Sequence, residues 1–340
     1  MRVSVIGGSG YIGGELIRLL LQHSAVELAQ VTSNRLAGRA LHTAHPNLRG
    51  RTNLTFVQED RITACDVLFL ALPHGVTMNT LPHWARLAPT IIDLSADYRL
   101  HDPADYETFY GIQHTNAEWL ARFVPGIPEI NRAGLRNARY IAVPGCMANA
   151  AILALYPLSA EGLLQGEVVI DARSGSSGSG SEPGPASHHA VRSGVMRVFK
   201  PIGHRHTAEI RQVCPGPVYM TASAVEAVRG VQVICHVNLK EIATEQELWA
   251  LYRRHYRAEP FVRLVKQRTG LYRFPEPKIL SGTNFCDIGF ALADDCRHLV
   301  LIAALDNLVK GGAGNAVQCL NIAADWDERE GLDFPGLHPI

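Results

Sequence analysis

The sequence predicts an α/β protein: a doubly wound Rossmann-type domain, followed by a second, α+β domain with a mostly antiparallel sheet. Short apolar runs at residues 3–6, 67–72 and 90–94 alternate with helical patterns, which is typical of the βαβ units of a parallel sheet. After about residue 165 the strands become longer and alternate between apolar and polar residues, as at 231–237. This change of pattern divides the chain into two parts.

The first elements follow in regular order. Residues 3–6 form a continuous apolar run that predicts a buried strand. Three leucines share one face of a helical pattern at residues 15–22, and residues 26–32 predict a second strand. Strand, glycine-rich turn, helix and strand in this order are the beginning of a nucleotide-binding fold.

The predicted domain boundaries follow from the same patterns. We expect residues 1–145 to form the nucleotide-binding domain, completed by a C-terminal helix at 312–340, because a helical pattern returns at 313–323. Residues 146–311 would form the domain for catalysis, substrate binding and dimerisation. A chain of 340 residues is long enough for two such domains.

Composition excludes several classes of protein. Lysine and arginine number 32 and are balanced by 32 acidic residues, so net charge gives no reason to expect nucleic-acid binding. There is no apolar run long enough for a membrane span and no signal-peptide core. Seven cysteines without a CxxC pair argue against a zinc site or a disulfide framework. We therefore expect a cytoplasmic protein, without a metal and with at most one reactive thiol.

A glycine-rich motif follows the first predicted strand directly. Residues 7–13 read Gly-Gly-Ser-Gly-Tyr-Ile-Gly and open a helix. Glycine is needed there for a tight turn and for close approach to a pyrophosphate, which the N–H groups of a helix N-terminus bind. The residues expected to contact the dinucleotide are Gly7, Ser9, Gly10, Tyr11, Ile12 and Gly13.

The end of the second strand predicts which dinucleotide is bound. An NAD site has an acidic residue there to hold the ribose 2′-hydroxyl. This chain has Ser33, Asn34 and Arg35 instead, and these residue types suit a 2′-phosphate. The sequence therefore favours NADP.

Residues 174–181 alternate serine and glycine, which leaves two interpretations open. Small residues after an apolar strand are typical of a loop whose amides and hydroxyls hold an anion. The alternative is an ordinary glycine-rich turn or linker. On the first interpretation Ser174 would contact the substrate.

One cysteine lies in an activating context. Cys146 follows a Pro-Gly turn and precedes the helical pattern that begins at Ala150, so a helix N-terminus would stabilise its thiolate. A base is needed to exchange its proton, and residues 203–210 (Gly-His-Arg-His-Thr-Ala-Glu-Ile) form the densest ionisable cluster. In that cluster, an arginine could hold an anionic group and a glutamate could orient a histidine. A solvated polar turn is the alternative.

Together these motifs resemble the N-acetyl-γ-glutamyl-phosphate reductase family of acyl-phosphate reductases, relatives of aspartate-semialdehyde dehydrogenase. The resemblance runs essentially from end to end and includes residues 72–75, 93–99, 144–146, 204–206 and 306–311. The chain is most similar to the lysine-biosynthetic branch, which reduces α-aminoadipate 6-phosphate carried on LysW, a small acidic protein. The segments that carry this likeness are 45–54, 185–189 and 334–339, together with Met147 after the cysteine.

The resemblance implies a function and the residues that perform it. Cys146 would be the nucleophile and His204 the acid/base, and Asn307 would join residues 9–12 and 33–35 in binding NADP. A thioester would form with loss of phosphate, and NADPH would reduce it to a semialdehyde. The residues expected at the substrate are Arg99, Ser174, Arg205 and Glu209.

Three alternatives remain at this point. The free N-acetyl-γ-glutamyl phosphate of arginine biosynthesis is the nearest; a non-catalytic NADP-binding regulator has no use for the cysteine. Aspartate-semialdehyde dehydrogenase shares the chemistry, but its Asn-Cys-Thr pattern is absent.

Residues 186–212 hold five lysines or arginines and one acid, Glu209, which favours an acidic carrier protein as partner. We expect a homo-oligomer, a dimer or tetramer.

Overall fold

The computed structural model describes all 340 residues, which form two compact units. The first unit comprises Met1–Pro144 and Gly312–Asp333, and the second comprises Gly145–Gly311 and Phe334–Ile340. None of the helices combines the length and the apolar character that crossing a membrane requires.

A seven-stranded, entirely parallel sheet forms the centre of the first unit. Its strands are β1 (Arg2–Ile6), β2 (Glu27–Thr32), β3 (Phe56–Val57), β4 (Val67–Leu70), β5 (Thr90–Asp93), β6 (Val124–Pro125) and β7 (Tyr140–Ala142). The strand order is β3-β2-β1-β4-β5-β7-β6. From β1 the chain first adds strands on one side of the sheet and then on the other, as in a doubly wound sheet. The predicted fold class of this part is confirmed.

Five α-helices belong to the first unit: α1 (Tyr11–Leu20), α2 (Thr77–Trp84), α3 (Pro103–Tyr110), α4 (Pro128–Leu135) and α9 (Gly314–Ala323). Helix α1 begins four residues before the predicted start at residue 15, because its first turn contains the glycines that hide a helical pattern. Helix α9 ends at Ala323, well short of residue 340, since Asp325 takes the left-handed conformation that terminates helices. It packs on α1 and α4.

A seven-stranded mixed sheet forms the centre of the second unit, in the order β12-β13-β14-β11-β8-β10-β9. Its strands are β8 (Leu164–Ser174), β9 (Met196–Lys200), β10 (Val218–Val225), β11 (Val231–Leu239), β12 (Val262–Leu264), β13 (Cys286–Leu292) and β14 (His298–Leu305). Only the β8–β10 and β12–β13 pairs are parallel, so the predicted, mostly antiparallel sheet is confirmed.

The helices of the second unit are α5 (Cys146–Ala160), α6 (His189–Arg192), α7 (His206–Val213) and α8 (Glu245–Tyr256). Helix α5 packs on β8, β11 and β14 and is buried along nearly its whole length. Alternate residues of β11 are buried beneath it, while those between them face away from the helices. The fold thus places the first turn of α5, which begins with Cys146, at one end of this buried layer.

Candidate active site

The glycine-rich motif forms the turn between β1 and α1. Helix α1 begins at Tyr11 with Gly10 as its N-cap, and no side chain caps the helix. The Gly7 N–H donates to the hydroxyl of Thr32 at 3.0 Å, and a Cβ on Gly13 would stand 2.6 Å from the Gly7 carbonyl oxygen. A side chain would therefore fill the turn, whereas glycines keep it open to a phosphate at the helix N-terminus. The residues present fit a dinucleotide.

The residues predicted to select the dinucleotide lie beside this turn. The Ser33 hydroxyl donates to the Ser9 hydroxyl at 3.0 Å, so two of the predicted contacts are neighbours. Asn34 and Arg35 are exposed in the loop that follows β2. The Asn34 side-chain oxygen accepts from the Glu59 N–H, which orders the loop. Hydroxyl, amide and guanidinium groups are therefore presented at one end of β2.

Arg99 donates two hydrogen bonds to backbone carbonyls of the first unit. Its Nε donates to the Val143 carbonyl at 2.7 Å and its Nη2 to the Leu94 carbonyl at 3.0 Å. These bonds tie the segment after β5 to the segment after β7. A contact between Arg99 and substrate stays a prediction.

Two buried carboxylates, those of Asp93 and Asp97, lie near Arg99. Asp93 is fully buried and accepts from both the N–H and the hydroxyl of Ser95. Burial and the neighbouring Asp97 raise the pKa of Asp93 to about 7, against the lowering effects of Ser95 and Arg99. Asp97 accepts from the N–H groups of Gly75 and Met78, and so fixes the loop that leads into α2.

Cys146 is the first residue of the 15-residue helix α5, with Gly145 as the N-cap. A helix N-terminus favours a thiolate, because its unpaired N–H groups and its dipole carry partial positive charge. Five of the other six cysteines are buried, and none of the seven forms a disulfide. Cys146 is thus the thiol that combines partial exposure with a helix N-terminus.

A π-helical turn spans Val309–Ala313, and its second-unit residues Lys310 and Gly311 contact the start of α5. A Cβ on Gly311 would stand 2.6 Å from the Cβ of Cys146, so the turn packs directly against the cysteine. The side-chain N–H of Asn149, one turn along α5, donates to the Lys310 carbonyl at 2.9 Å. These contacts fix the backbone around the thiol.

His206 is the histidine that the structure places beside the turn before Cys146. A Cβ on Gly145 would stand 2.2 Å from His206 Nε2, so this ring packs against Gly145. The Glu209 carboxylate contacts both Gly145 and His206. One of its oxygens accepts from the Gly145 N–H at 2.8 Å, and the other lies 4.0 Å from His206 Nε2. Both side chains are buried. A contact between Glu209 and substrate stays a prediction.

His204 lies next to His206, with ring centroids 4.6 Å apart, and edge-on to Phe199. Its Nδ1 accepts from the His206 N–H at 3.2 Å, so Nε2 carries the ring hydrogen. Burial, assisted by Arg205 and Lys200, lowers the pKa of His204 to about 4. At neutral pH this imidazole is therefore uncharged. Arg205 directly precedes α7 and is partly exposed.

The serine–glycine stretch is an ordered turn, and its amides are used within the protein. The N–H groups of Ser176 and Ser177 donate to the Ala227 and Val228 carbonyls, each at 2.9 Å. Gly175, Gly178 and Gly180 also donate to carbonyls. The interpretation of these five amides as an anion cradle is wrong, because three of them donate to carbonyls of residues 227–230 and two to carbonyls within the stretch itself. Ser174 is buried, and its contact with substrate stays a prediction.

Asn307 stabilises that turn. Its side-chain oxygen accepts from the Gly230 N–H at 2.8 Å, and its Nδ2 donates to the Ser177 hydroxyl at 2.9 Å. The side chain is buried. Cofactor binding by Asn307 also stays a prediction.

Fold and site together define a nicotinamide-dependent oxidoreductase. The sequence model described as "Semialdehyde dehydrogenase, NAD binding domain" matches residues 2–138, and the one described as "Semialdehyde dehydrogenase, dimerisation domain" matches residues 146–307. The chain belongs to the semialdehyde dehydrogenase family.

Similar curated proteins match over nearly the whole length. A protein of Thermomicrobium roseum named "Putative [LysW]-L-2-aminoadipate 6-phosphate reductase" is 51% identical, covering 99% of both chains. The "[LysW]-L-2-aminoadipate 6-phosphate reductase" of Deinococcus radiodurans is 46% identical, covering 99% of this chain and 98% of that one. A Cenarchaeum symbiosum protein, 48% identical over all of both chains, is named "Putative [LysW]-L-2-aminoadipate/[LysW]-L-glutamate phosphate reductase". The predicted family and branch are confirmed.

Solved structures agree with the fold. Aspartate semialdehyde dehydrogenase II from Vibrio cholerae superposes with a TM-score of 0.70 at 15% identity, covering 94% of this chain and 97% of that one. Aspartate semialdehyde dehydrogenase from Candida albicans, solved with NADP, gives 0.68 at 14% identity, covering 94% and 97%. At such identities the likeness concerns the fold.

Sequence reasoning did not single out His206 or Gly311. The spacing of His206 and Glu209, three residues apart at the start of a helix, is a signal for a paired imidazole and carboxylate. Nothing local in the sequence indicates that Gly311 packs on Cys146.

Proposed function

We propose that this protein is the reductase of 2-aminoadipate 6-phosphate carried on the protein LysW, in lysine biosynthesis. The observation that supports this most strongly is the 51% and 46% identity, over 99% of the chain, to relatives named for that reaction. The position of Cys146 at a helix N-terminus agrees with it, because an acyl phosphate needs a thiolate to capture its acyl group.

Cys146 begins the reaction. Its thiolate attacks the carbonyl carbon of the acyl phosphate, the carbon–sulfur bond forms, and the carbon–oxygen bond to phosphate breaks. The product is a thioester on Cys146 and free phosphate. The N–H groups at the start of α5 stabilise negative charge on the sulfur before attack.

The nicotinamide cofactor, held by the turn between β1 and α1 and by Ser33–Arg35, supplies a hydride when bound. Addition of a hydride to the thioester carbon and of a proton from the acid/base group to its oxygen would give a thiohemiacetal on Cys146. When its carbon–sulfur bond breaks, the hydroxyl proton leaves, the semialdehyde forms and the thiolate returns.

The two histidines divide the proton transfers. We assign to His206 the removal of the proton from the resting Cys146 thiol. The Glu209 carboxylate keeps the His206 ring against Gly145. We assign the acid/base role towards the substrate oxygen to His204, whose Nε2–H is available to donate. Separate His204→Asn and His206→Asn variants test the division: the first should reduce turnover with the rate of thiol alkylation preserved, and the second should reduce both.

Carrier binding is supported by the charge of residues 186–212. Glu209, the one acid in the segment, is buried, whereas Arg197 and Lys200 on the edge strand β9 are exposed. Apolar side chains accompany them: Met196 is 86% exposed and Phe199 50%. A basic strip with apolar side chains suits an acidic protein and would guide its approach at low salt.

The open face of the second sheet supports a dimer. The sheet residues that alternate with the buried ones include Val169, Tyr219, Ile234 and Ile302, and each of these apolar or aromatic side chains is at least partly exposed. The family model that spans this unit is described as a dimerisation domain. We therefore propose a homodimer formed through this face.

The reverse reaction tests the substrate. Carrier-linked aminoadipate semialdehyde and free N-acetylglutamate semialdehyde are compared with NADP and phosphate, at low and high salt. We expect a higher kcat/KM for the carrier-linked compound, decreasing with salt. A higher value for the free compound, without salt dependence, would assign the protein to arginine biosynthesis. Carrier-linked glutamate semialdehyde is a third arm, because the Cenarchaeum relative is named for both chain lengths.

A charge-reversal pair tests the docking strip. Arg197→Glu with Lys200→Glu should raise KM for the carrier-linked compound by roughly tenfold or more and leave the free compound unaffected. Lys240→Glu with Arg253→Glu, two exposed cations elsewhere on the second unit, is the matched control.

A further inference from the structure

His45 lies in the connection between β2 and β3, outside every motif that the proposed reaction uses. Histidine side chains are on average intermediate in burial. That of His45 is only 8% exposed. Its Nε2 lies 2.7 Å from the carbonyl oxygen of Gly8. A carbonyl only accepts, so Nε2–H donates and the tautomer is fixed.

The ring is held in place from two further sides. A Cβ on Gly14 would stand 2.5 Å from His45 Nδ1 and Cε1, so the imidazole packs directly on the first turns of α1. The Phe56 ring lies on β3, with ring centroids 6.4 Å apart. Burial lowers the pKa of His45, against the raising effects of Gly8 and Glu15, so the donor is a neutral imidazole.

The glycine-rich turn is held on both sides of Gly8, and the bond to His45 fixes the peptide between Gly8 and Ser9. The Gly8 N–H donates to the Thr32 carbonyl at 2.9 Å, and its own carbonyl is held by His45. In a trans peptide the C=O and the following N–H point in opposite directions. Holding the Gly8 oxygen towards His45 therefore directs the Ser9 N–H away from it, to the opposite side of the turn.

We propose that His45 is a positioning residue for the dinucleotide: by holding the Gly8 carbonyl, it orients the Ser9 amide to donate to the cofactor's pyrophosphate. The inference requires the glycine-rich turn to hold the dinucleotide but is independent of the proposed substrate. Without the imidazole, the peptide between Gly8 and Ser9 is able to rotate, and part of the binding free energy is spent on ordering it again.

The test compares three variants of the full-length protein. His45→Leu removes the donor, and His45→Gln places an amide N–H at about the distance of Nε2. His42→Leu, a partly exposed histidine on the adjoining turn, is the matched control. Dissociation constants for NADPH are measured by titration of its fluorescence without substrate, together with the Tm of the protein without cofactor and with kcat at saturating NADPH.

We expect His45→Leu to raise the NADPH Kd about tenfold or more, which corresponds to roughly 1.4 kcal/mol, with kcat within about twofold of the parent. His45→Gln should recover most of the affinity, and His42→Leu should bind as the parent does. The proposal is overturned if His45→Leu keeps the parent's Kd. It is also overturned if the Gln and Leu variants lose affinity equally, since the imidazole would then only fill space. A failure of the substrate assignment would leave these Kd values unaffected.

Discussion

The carboxylate of Glu209 accepts a hydrogen bond from the backbone N–H of Gly145 at 2.8 Å, although the two residues are 64 positions apart in the chain. Gly145 is the N-cap of α5, so the Glu209 carboxylate lies at the beginning of the helix whose first residue is Cys146. The same carboxylate lies 4.0 Å from His206. One side chain therefore positions both the turn and the imidazole.

Replacing Glu209 should reduce turnover through this double contact. Glu209→Gln keeps an oxygen for the Gly145 N–H but loses the carboxylate oxygen that faces His206, so the ring is held less firmly against the turn, and we expect kcat to fall roughly 10²-fold. The rate of Cys146 alkylation by iodoacetamide, measured across pH, should show the loss of thiolate directly. Glu161→Gln, which changes an exposed carboxylate after the end of α5, should leave both measurements unaffected. An unchanged alkylation profile in Glu209→Gln would contradict the assigned role.

Cys146 should be the one cysteine that carries the acyl group. Cys146→Ala should abolish reduction while the NADPH Kd stays within about twofold, because the thiol is not needed to hold the dinucleotide. The control is Cys296→Ala, which removes the other partly exposed thiol. Trapping of radiolabelled acyl group on the parent but not on Cys146→Ala would identify the covalent intermediate. Appreciable turnover by the alanine variant would disprove the assignment.

Arg35 should distinguish NADPH from NADH. It is exposed beside Ser33, where the 2′-phosphate is expected, so Arg35→Ala should raise KM for NADPH at least about tenfold and barely change KM for NADH. Arg39→Ala, in the same loop and also exposed, is the matched control. Equal losses with both cofactors would mean that Arg35 does not contact the 2′-phosphate.

Asp93 should make the stability of the protein depend on pH. Its pKa is raised from 3.8 to about 7 in the folded protein, so between these values the folded state holds a proton that the unfolded state releases. The stability from this group is complete at low pH and is lost as pH rises through about 7. Asp93→Asn cannot ionise, so its Tm relative to the parent should rise between about pH 4 and about pH 7 and then level off. A difference in Tm that stays constant over this range would show that Asp93 does not titrate there.

A structural feature is predictable from the sequence when the residues that produce it are close together in the chain. The glycine-rich turn was predictable because Gly7, Gly10 and Gly13 act within one strand–turn–helix unit. The helical position of Cys146 was predictable for the same reason, from a Pro-Gly turn followed by an apolar helical pattern.

Contacts between distant segments were not predictable. The amides of Ser176 and Ser177 find their acceptors at residues 227 and 228, about fifty positions away, so the composition of the stretch alone suggested donors open to an anion. His204 and His206 are equivalent as sequence letters, and only the packing of α7 against α5 distinguishes the ring that meets Gly145.

The distribution of thiols has a practical consequence. Cys65, Cys214, Cys235, Cys286 and Cys319 are buried, and burial raises the pKa of the first three. An electrophilic probe at neutral pH therefore meets only two accessible sulfur atoms, and one of them, that of Cys146, lies at a helix N-terminus. With Cys296 replaced by serine, a single fluorescent label per chain would report occupancy of the nucleophile, without the cavities that removal of a core thiol creates.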